Sequence, residues 1–253
     1  MTNIAIIGGS GLDNFTALRD VRELRQVTRF GQPSGSILCG KFAGREILFL
    51  ARHGSGHTIP PHKINYRANI AALRDLGATE IIAVTAVGGI AATAPPCRVV
   101  IPHQIIDYTY GREHTFSDGL DDVVQHIDFT YPFSDRLRAE LIRAAAQISL
   151  PVEPTGVYGA TQGPRLESAA EISRMANDGC TIVGMTGMPE ASLAREAGLS
   201  YVNCSLVVNW AAGVVDGTIE LTEIEQHMNL GMTSVQRLIK AWLETRSDPD
   251  SEI

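Results

Sequence analysis

Three glycine-anchored segments among the first ninety residues carry side chains suited to holding an anion: Gly8-Gly9-Ser10-Gly11, Ala51-Arg52-His53-Gly54 and Thr85-Ala86-Val87-Gly88-Gly89. Arginine matches phosphate oxygens bidentately, and glycine lets backbone N–H groups come close. Ser10 and Thr85 add hydroxyls. Each segment follows an apolar, β-rich run: Ile4 to Ile7, Ile47 to Leu50, and Ile81 to Val84. Ligands of open α/β sheets bind outside the carboxyl ends of the strands, so three such ends are expected to converge on one anion. Singly, each segment is weak. Gly8 to Gly11 could be a plain strand-to-helix turn, and Asn14 stands where a dinucleotide fingerprint needs a third small residue. No P-loop run is present, and Arg52 alone could be a surface ion-pair residue. Their joint occurrence after strands is what points to an anion site.

The elements that must position these residues alternate from end to end. Residues 36–42 and 46–52 flank a hairpin turn at Ala43-Gly44-Arg45. Ala68, Ala72, Leu73 and Leu76 mark one face of a helix from Asn65 to Leu76, closed by Gly77 as its C-cap. Strands are expected over 80–87 and 99–106, followed by a long polar loop over 111–132. Ser134 caps a helix bearing Leu137, Leu141, Ala145 and Ile148. Strand 155–161, a helix from about Leu166 to Ala176, strand 181–185, helix 189–197 and strand 200–208 continue the pattern. Thr222 and Glu225 have the spacing of a capping box for a last helix, striped by Ile224, Met228, Met232, Val235, Leu238 and Trp242. The alternation implies one α/β domain over 1–253, with a frayed tail after Arg246.

Composition narrows the function classes. The chain has 253 residues, 44% hydrophobic and 19% charged, with a net charge of −7. That balance supports a sizeable core and argues against a nucleic-acid partner. No apolar run approaches the roughly twenty residues that span a bilayer, and no signal peptide opens the chain, so a cytoplasmic protein is expected. Cys39, Cys97, Cys180 and Cys204 are scattered and read as buried thiols. His53, His57 and His62 lack the spacing of a zinc helix, so neither a metal nor a cofactor is expected.

Two later segments join the first three: Gly163-Pro164-Arg165-Leu166-Glu167-Ser168 and Met185-Thr186-Gly187-Met188-Pro189-Glu190. With Arg52-His53-Gly54, His57-Thr58-Ile59-Pro60 and Asn65-Tyr66-Arg67-Ala68-Asn69, they resemble the trimeric purine nucleoside phosphorylase and methylthioadenosine phosphorylase family over about residues 3 to 240. The resemblance implies an α/β three-layer sandwich around a mixed, partly barrelled sheet, assembled as a homotrimer. Its substrates would be a small purine nucleoside and inorganic phosphate, a co-substrate. Phosphate would be held by Ser10, Arg52, His53, Thr85, the backbone of Ala86, and Thr186. Met185 would pack on the ribose. His126, otherwise an exposed loop residue, would be lent to a neighbouring subunit's site. Catalysis would rest on positioning and electrostatics, with His53 and Asn209 as the acting side chains and no side-chain nucleophile.

Within that resemblance the base and sugar ends point different ways. Glu167 sits where 6-oxopurine enzymes carry glutamate, and a carboxylate can accept the N1–H that adenine lacks. Asn209 replaces the aspartate of adenine-type enzymes and can donate to N7 or O6. Outside the resemblance, Glu167 would read as an exposed first-turn residue. Leu166 stands where an aromatic residue commonly stacks on the base, and Ala211 where adenine-type enzymes carry a second aspartate. Leu221 aligns with a histidine that contacts the 5′-hydroxyl, and Ile224 lies a turn on. Together they favour a methylthio group, although such a pair also suits a core. Four readings stay open: a 6-oxopurine methylthionucleoside phosphorylase, a methylthioadenosine phosphorylase, a general inosine/guanosine phosphorylase, and a catalytically silent nucleoside-binding protein.

Overall fold

The computed structural model describes residues 3–12, 15–117, 119 and 124–246. The tail after Arg246 expected to fray lies outside the described residues, as does part of the 111–132 loop. At the centre, β1 (Ile4–Gly8) lies between β4 (Arg45–Ala51) and β5 (Glu80–Gly89), all parallel, with Ile7 opposite both Leu50 and Ala83. This register brings the carboxyl ends of β1 and β4 level with the middle of β5; Thr85 to Gly89 are therefore the second half of a strand and do not follow one, contrary to the expectation. On one side β3 (Ile37–Phe42) pairs antiparallel with β4, closing the hairpin through Ala43 and Gly44, both at positive φ.

β5 outruns β1, and its last residues pair antiparallel with β10 (Ile182–Gly184), whose other neighbour is β9 (Val157–Ala160). Along its other edge β5 carries β11 (Ser200–Trp210), parallel from Ser200–Glu80 to Trp210–Gly89. The sheet therefore forks at β5 and is mixed. Its register shifts between Val207 and Asn209. A bulge of this kind re-aims the side chains beyond it.

Alternate strand residues feed opposite faces, which is why the sheet carries two large cores. Ala5, Ile7, Leu48, Leu50, Ile81 and Ala83 pack with α1 (Tyr66–Asp75) and α4 (Gly187–Glu196). Ile6, Ile47, Phe49, Ile82 and Val84 pack with α2 (Asp135–Gln147) and α5 (Leu221–Glu244). The result is the three-layer α/β sandwich expected. The stripe read from the last helix is real: Met232, Val235, Leu238 and Trp242 are buried, while Ile224 and Met228 lie partly buried against the same core.

Several boundaries differ. The strand expected over 99–106 is two, β6 (Val99–Val100) and β7 (Gln104–Asp107), because Pro102 interrupts the ladder and the halves join different neighbours. The third helix, α3, begins at Ala169, not Leu166, because Ser168 and Glu171 form a complete capping box. The box read at Thr222 and Glu225 does not form: Glu220 is the N-cap of α5 and makes no side-chain cap bond. The exposed strand β2 (Arg19–Leu24) and the short β8 (Val152–Glu153) carry no alternation that would reveal them. Cys97 is exposed, contrary to the reading of all four thiols as buried.

Candidate active site

A cavity of about 620 Å³ opens where β1 and β4 end, along the second half of β5. Ser10, Arg52, His53, Thr85, Ala86 and Thr186 line it together, so the cradle read from separate segments is one place. Gly9 is obligatory there. A Cβ on it would stand 2.8 Å from Arg52 Nη1 and 2.7 Å from the Val84 carbonyl.

Arg52 is not the open bidentate cation that the sequence suggests. It is fully buried, with Nε and Nη2 donating to the two carboxylate oxygens of Glu190 on α4 at 2.7 and 2.9 Å. Nη1 donates to the Val84 carbonyl at 2.9 Å, and Tyr201 on β11 donates to the same carboxylate at 2.8 Å. Burial opposes the guanidinium charge, but Glu190 outweighs it and holds the group protonated. The carboxylate thus takes the side-on fork, and two outer N–H bonds of the guanidinium are not used by these contacts.

His53 has a fixed state. Its Nδ1 lies 2.8 Å from the Ile59 carbonyl, which can only accept. Burial and the neighbouring Arg52 charge hold its pKa down at about 4, so the ring is neutral with Nε2 as its acceptor. The Thr85 hydroxyl is turned away from a ligand role. It donates to Asn203 Oδ1 at 3.0 Å, with Ser205 Oγ 3.1 Å away. Rotation would free it, because Ser205 also donates to Asn203, at 2.5 Å. Thr186 is the N-cap of α4 and makes no capping bond with its side chain.

At another part of the wall stand Met185, Leu166, Glu167, Asn209 and Ala211. Glu167 lies before the cap of α3 rather than in its first turn, and its Oε1 accepts from Thr161 Oγ1 at 2.6 Å. Asn209 reaches the cavity beside Val208 because of the bulge in β11. Its Nδ2 donates one hydrogen to the Trp210 carbonyl at 2.7 Å and keeps a second. A third part of the wall is apolar: Ile219, Leu221, Ile224 and Met228, with only Glu225 polar among its α5 neighbours. Met228 packs on Gly11, where φ is +79° and a Cβ would meet Met228 Cγ at 2.6 Å. Leu221 and Ile224 are therefore cavity wall rather than sealed core, and Leu221 is 70% exposed.

His126 is exposed and stands apart, in a second cavity of about 540 Å³ with Arg112, His114 and Glu196. It does not line the first cavity. Among the described residues no cluster of three or more His, Cys, Asp or Glu side chains could hold a metal, and no helix is long and apolar enough to cross a membrane.

The model of the phosphorylase superfamily matches residues 3–244. The chain belongs to that superfamily. A phosphorylase of Pseudomonas syringae pv. tomato, named a probable S-methyl-5′-thioinosine phosphorylase, is 52% identical over 237 residues, covering 93% of this chain and 96% of that protein. The 6-oxopurine nucleoside phosphorylase of Pyrococcus furiosus is 44% identical over 246 residues, covering 95% and 92%. Among solved phosphorylases, the methylthioadenosine phosphorylase of Schistosoma mansoni in complex with adenine superposes with a TM-score of 0.91 at 32% identity, covering 96% and 91% of the two chains.

Sequence reading missed Glu190, Tyr201, Met228 and Arg112 in this phosphorylase. Glu190 alone had a local signal, since it closes the Met185-to-Glu190 motif. A guanidinium buried as fully as that of Arg52 needs a partner, and Glu190 is the one carboxylate of that motif. The others are joined to the site only by the fold.

Proposed function

We propose that this enzyme cleaves S-methyl-5′-thioinosine with inorganic phosphate, giving hypoxanthine and 5-methylthioribose 1-phosphate, in the cytoplasm. The observation that carries the reading is one cavity with an anion cradle, an acceptor–donor pair in Glu167 and Asn209, and an apolar wall of Ile219, Leu221, Ile224 and Met228. A 6-oxopurine offers N1–H to Glu167 and O6 or N7 to Asn209, while the apolar wall suits a methylthio group better than a hydroxyl. Similarity to the Pseudomonas syringae protein supports the same substrate.

In the reaction a phosphate oxygen forms a bond to C1′ as the C1′–N9 bond breaks and its electron pair passes to the purine. Arg52 orients the anion without cancelling its charge, because Glu190 already balances the guanidinium. The anion can then stabilise positive charge on the ribose ring. Neutral His53 accepts a hydrogen bond from a protonated phosphate oxygen, and Met185 packs on the sugar. Asn209 donates to the base as negative charge gathers there, the role of an oxyanion donor. The reading assigns His126 to the site of a neighbouring subunit in a homotrimer. Its support is the exposed position of His126 away from its own cavity, and the exposed apolar Leu166 and Leu221 on the cavity wall.

A second reading, cleavage of 5′-hydroxyl 6-oxopurine nucleosides, is favoured by Glu225 beside the apolar wall and by similarity to the Pyrococcus furiosus enzyme. A phosphorolysis panel of methylthioinosine, methylthioadenosine, inosine and adenosine separates the readings. Methylthioinosine should give the highest kcat/KM, and base release should stop without phosphate. Preference for methylthioadenosine would overturn the base assignment, and preference for inosine the sugar assignment. Asn209→Asp alone should cost about 3–4 kcal/mol of transition-state stabilisation on methylthioinosine. Joined to Glu167→Ser, it should move the kcat/KM ratio towards methylthioadenosine. A ratio that does not move would show that these residues do not read the purine edge.

A further inference from the structure

Arg112 opens the long polar loop, yet it is only 8% exposed and faces the back of the active-site turns. Its Nε donates to Gln162 Oε1 at 3.1 Å. Nη1 donates to Tyr66 Oη at 3.2 Å and to the carbonyls of Met185 at 2.9 Å and Met188 at 2.6 Å. Nη2 donates to the carbonyls of Thr161 at 3.1 Å and Gln162 at 2.9 Å. Six acceptors thus share five N–H groups, so no donor is idle. Among the described residues no carboxylate pairs with this guanidinium. Its charge is met by backbone carbonyls and by the Tyr66 ring, whose centroid lies 5.5 Å away.

Those carbonyls belong to two turns with different tasks. Thr161 and Gln162 lead from β9 towards Glu167, and Thr161 donates to Glu167 through its own hydroxyl. Met185 precedes Thr186, the N-cap of α4, and Met188 is the second residue of that helix. Arg112 lines the second cavity and does not touch the first. We propose that Arg112 is a positioning residue, fixing the base-reading turn to the phosphate- and ribose-binding turn so that both substrates meet one geometry.

The role requires arginine. A lysine has three donors on a flexible stem and can meet half of the six acceptors, without the planar fork. Freed of the clamp, the turns could shift independently, and a displacement of about 1 Å at a reacting centre costs about 10²-fold.

The proposal rests on the phosphorolysis reading and has a test that fails separately from it. Kinetics are measured with methylthioinosine and phosphate for wild type, Arg112→Ala and Arg112→Lys, with circular dichroism as the check on folding. Arg112→Ala should lose about 10²-fold in kcat/KM, with the KM of nucleoside and of phosphate rising together. Guanidinium chloride at tens of millimolar should restore at least tenfold of that activity while leaving wild type unchanged. Arg112→Lys should remain at least tenfold impaired. A role confined to stability would instead lower kcat at unchanged KM, through a smaller active fraction, and that pattern overturns the proposal. So would a folded Arg112→Ala enzyme that guanidinium does not rescue, or an Arg112→Lys enzyme with wild-type kinetics. If Arg112→Ala does not fold, Arg112→Lys decides, and failure of both to fold also overturns it. Wild type that releases no base from methylthioinosine would sink the phosphorolysis reading instead.

Discussion

Replacing Arg52 by alanine would strip the cavity of its cation and also leave Glu190 buried without its partner. Breaking a buried pair from one side costs about 3–5 kcal/mol, so Arg52→Ala should lower stability by that order and raise the KM for phosphate. Urea denaturation and phosphate titration of the rate check the two effects separately, and an unchanged result in both would remove Arg52 from the site. His53 makes a pH-dependent contribution. Its pKa is about 4 in the folded chain against 6.5 for an unperturbed histidine, because burial and Arg52 disfavour the charged ring. The unfolded chain therefore takes up this proton first as pH falls. The contribution is present in full above pH 6.5 and is lost progressively as pH drops towards 4, by about 3 kcal/mol. His53→Gln should flatten that part of the stability profile; an equally steep fall in the variant would assign the slope to other groups.

At the scale of elements, two sequences with Ser/Thr-x-x-Glu spacing have different fates. Ser168 Oγ accepts from the Glu171 N–H at 3.2 Å, and Glu171 returns the bond to the Ser168 N–H at 2.7 Å. Thr222 lies inside the first turn of α5. Ser168→Ala should therefore cost about 1 kcal/mol, whereas Thr222→Ala should cost less than about 0.5 kcal/mol. Equal losses in thermal denaturation would contradict the assignment. The contrast shows what was legible in the sequence. Spacing identifies a box, but only the competing local bonds decide its use, and Thr218 Oγ1 donates to the Glu220 carboxylate at 2.9 Å just before α5. Buried runs such as Ile4 to Ile7 were readable because every residue packs on one core or the other. Arg19–Leu24 was not, since an exposed strand shows no hydrophobic period. The convergence of the glycine-anchored segments was readable from the strands beside them; the contact of Glu190 with Arg52 and that of Tyr201 with Glu190 were not, being made between residues distant in sequence.

The described residues form two large cores on opposite faces of one forked sheet and a smaller cluster around Ile172 and Val183, and the proposed assembly would add contacts between chains. If His126 completes a neighbour's site, sedimentation equilibrium should give a mass near three chains at assay concentrations. A fully active monomer would contradict the sharing of sites. The placement of the anion cradle has a consequence of its own. Arg52 follows β4, Thr85 lies in β5, Thr186 caps α4, and Glu190 reaches Tyr201 on β11, so the cradle ties three strands of the sheet to a helix packed on one of its faces. An anion bound there is a removable cross-brace, joining parts that otherwise separate when the sheet and its helices come apart. By mass action, phosphate at a hundredfold excess over its Kd would add about 2.7 kcal/mol to the folded state. The nucleophile would then also serve as a stabilising solute, and each turnover would consume the brace that steadies the enzyme between turnovers.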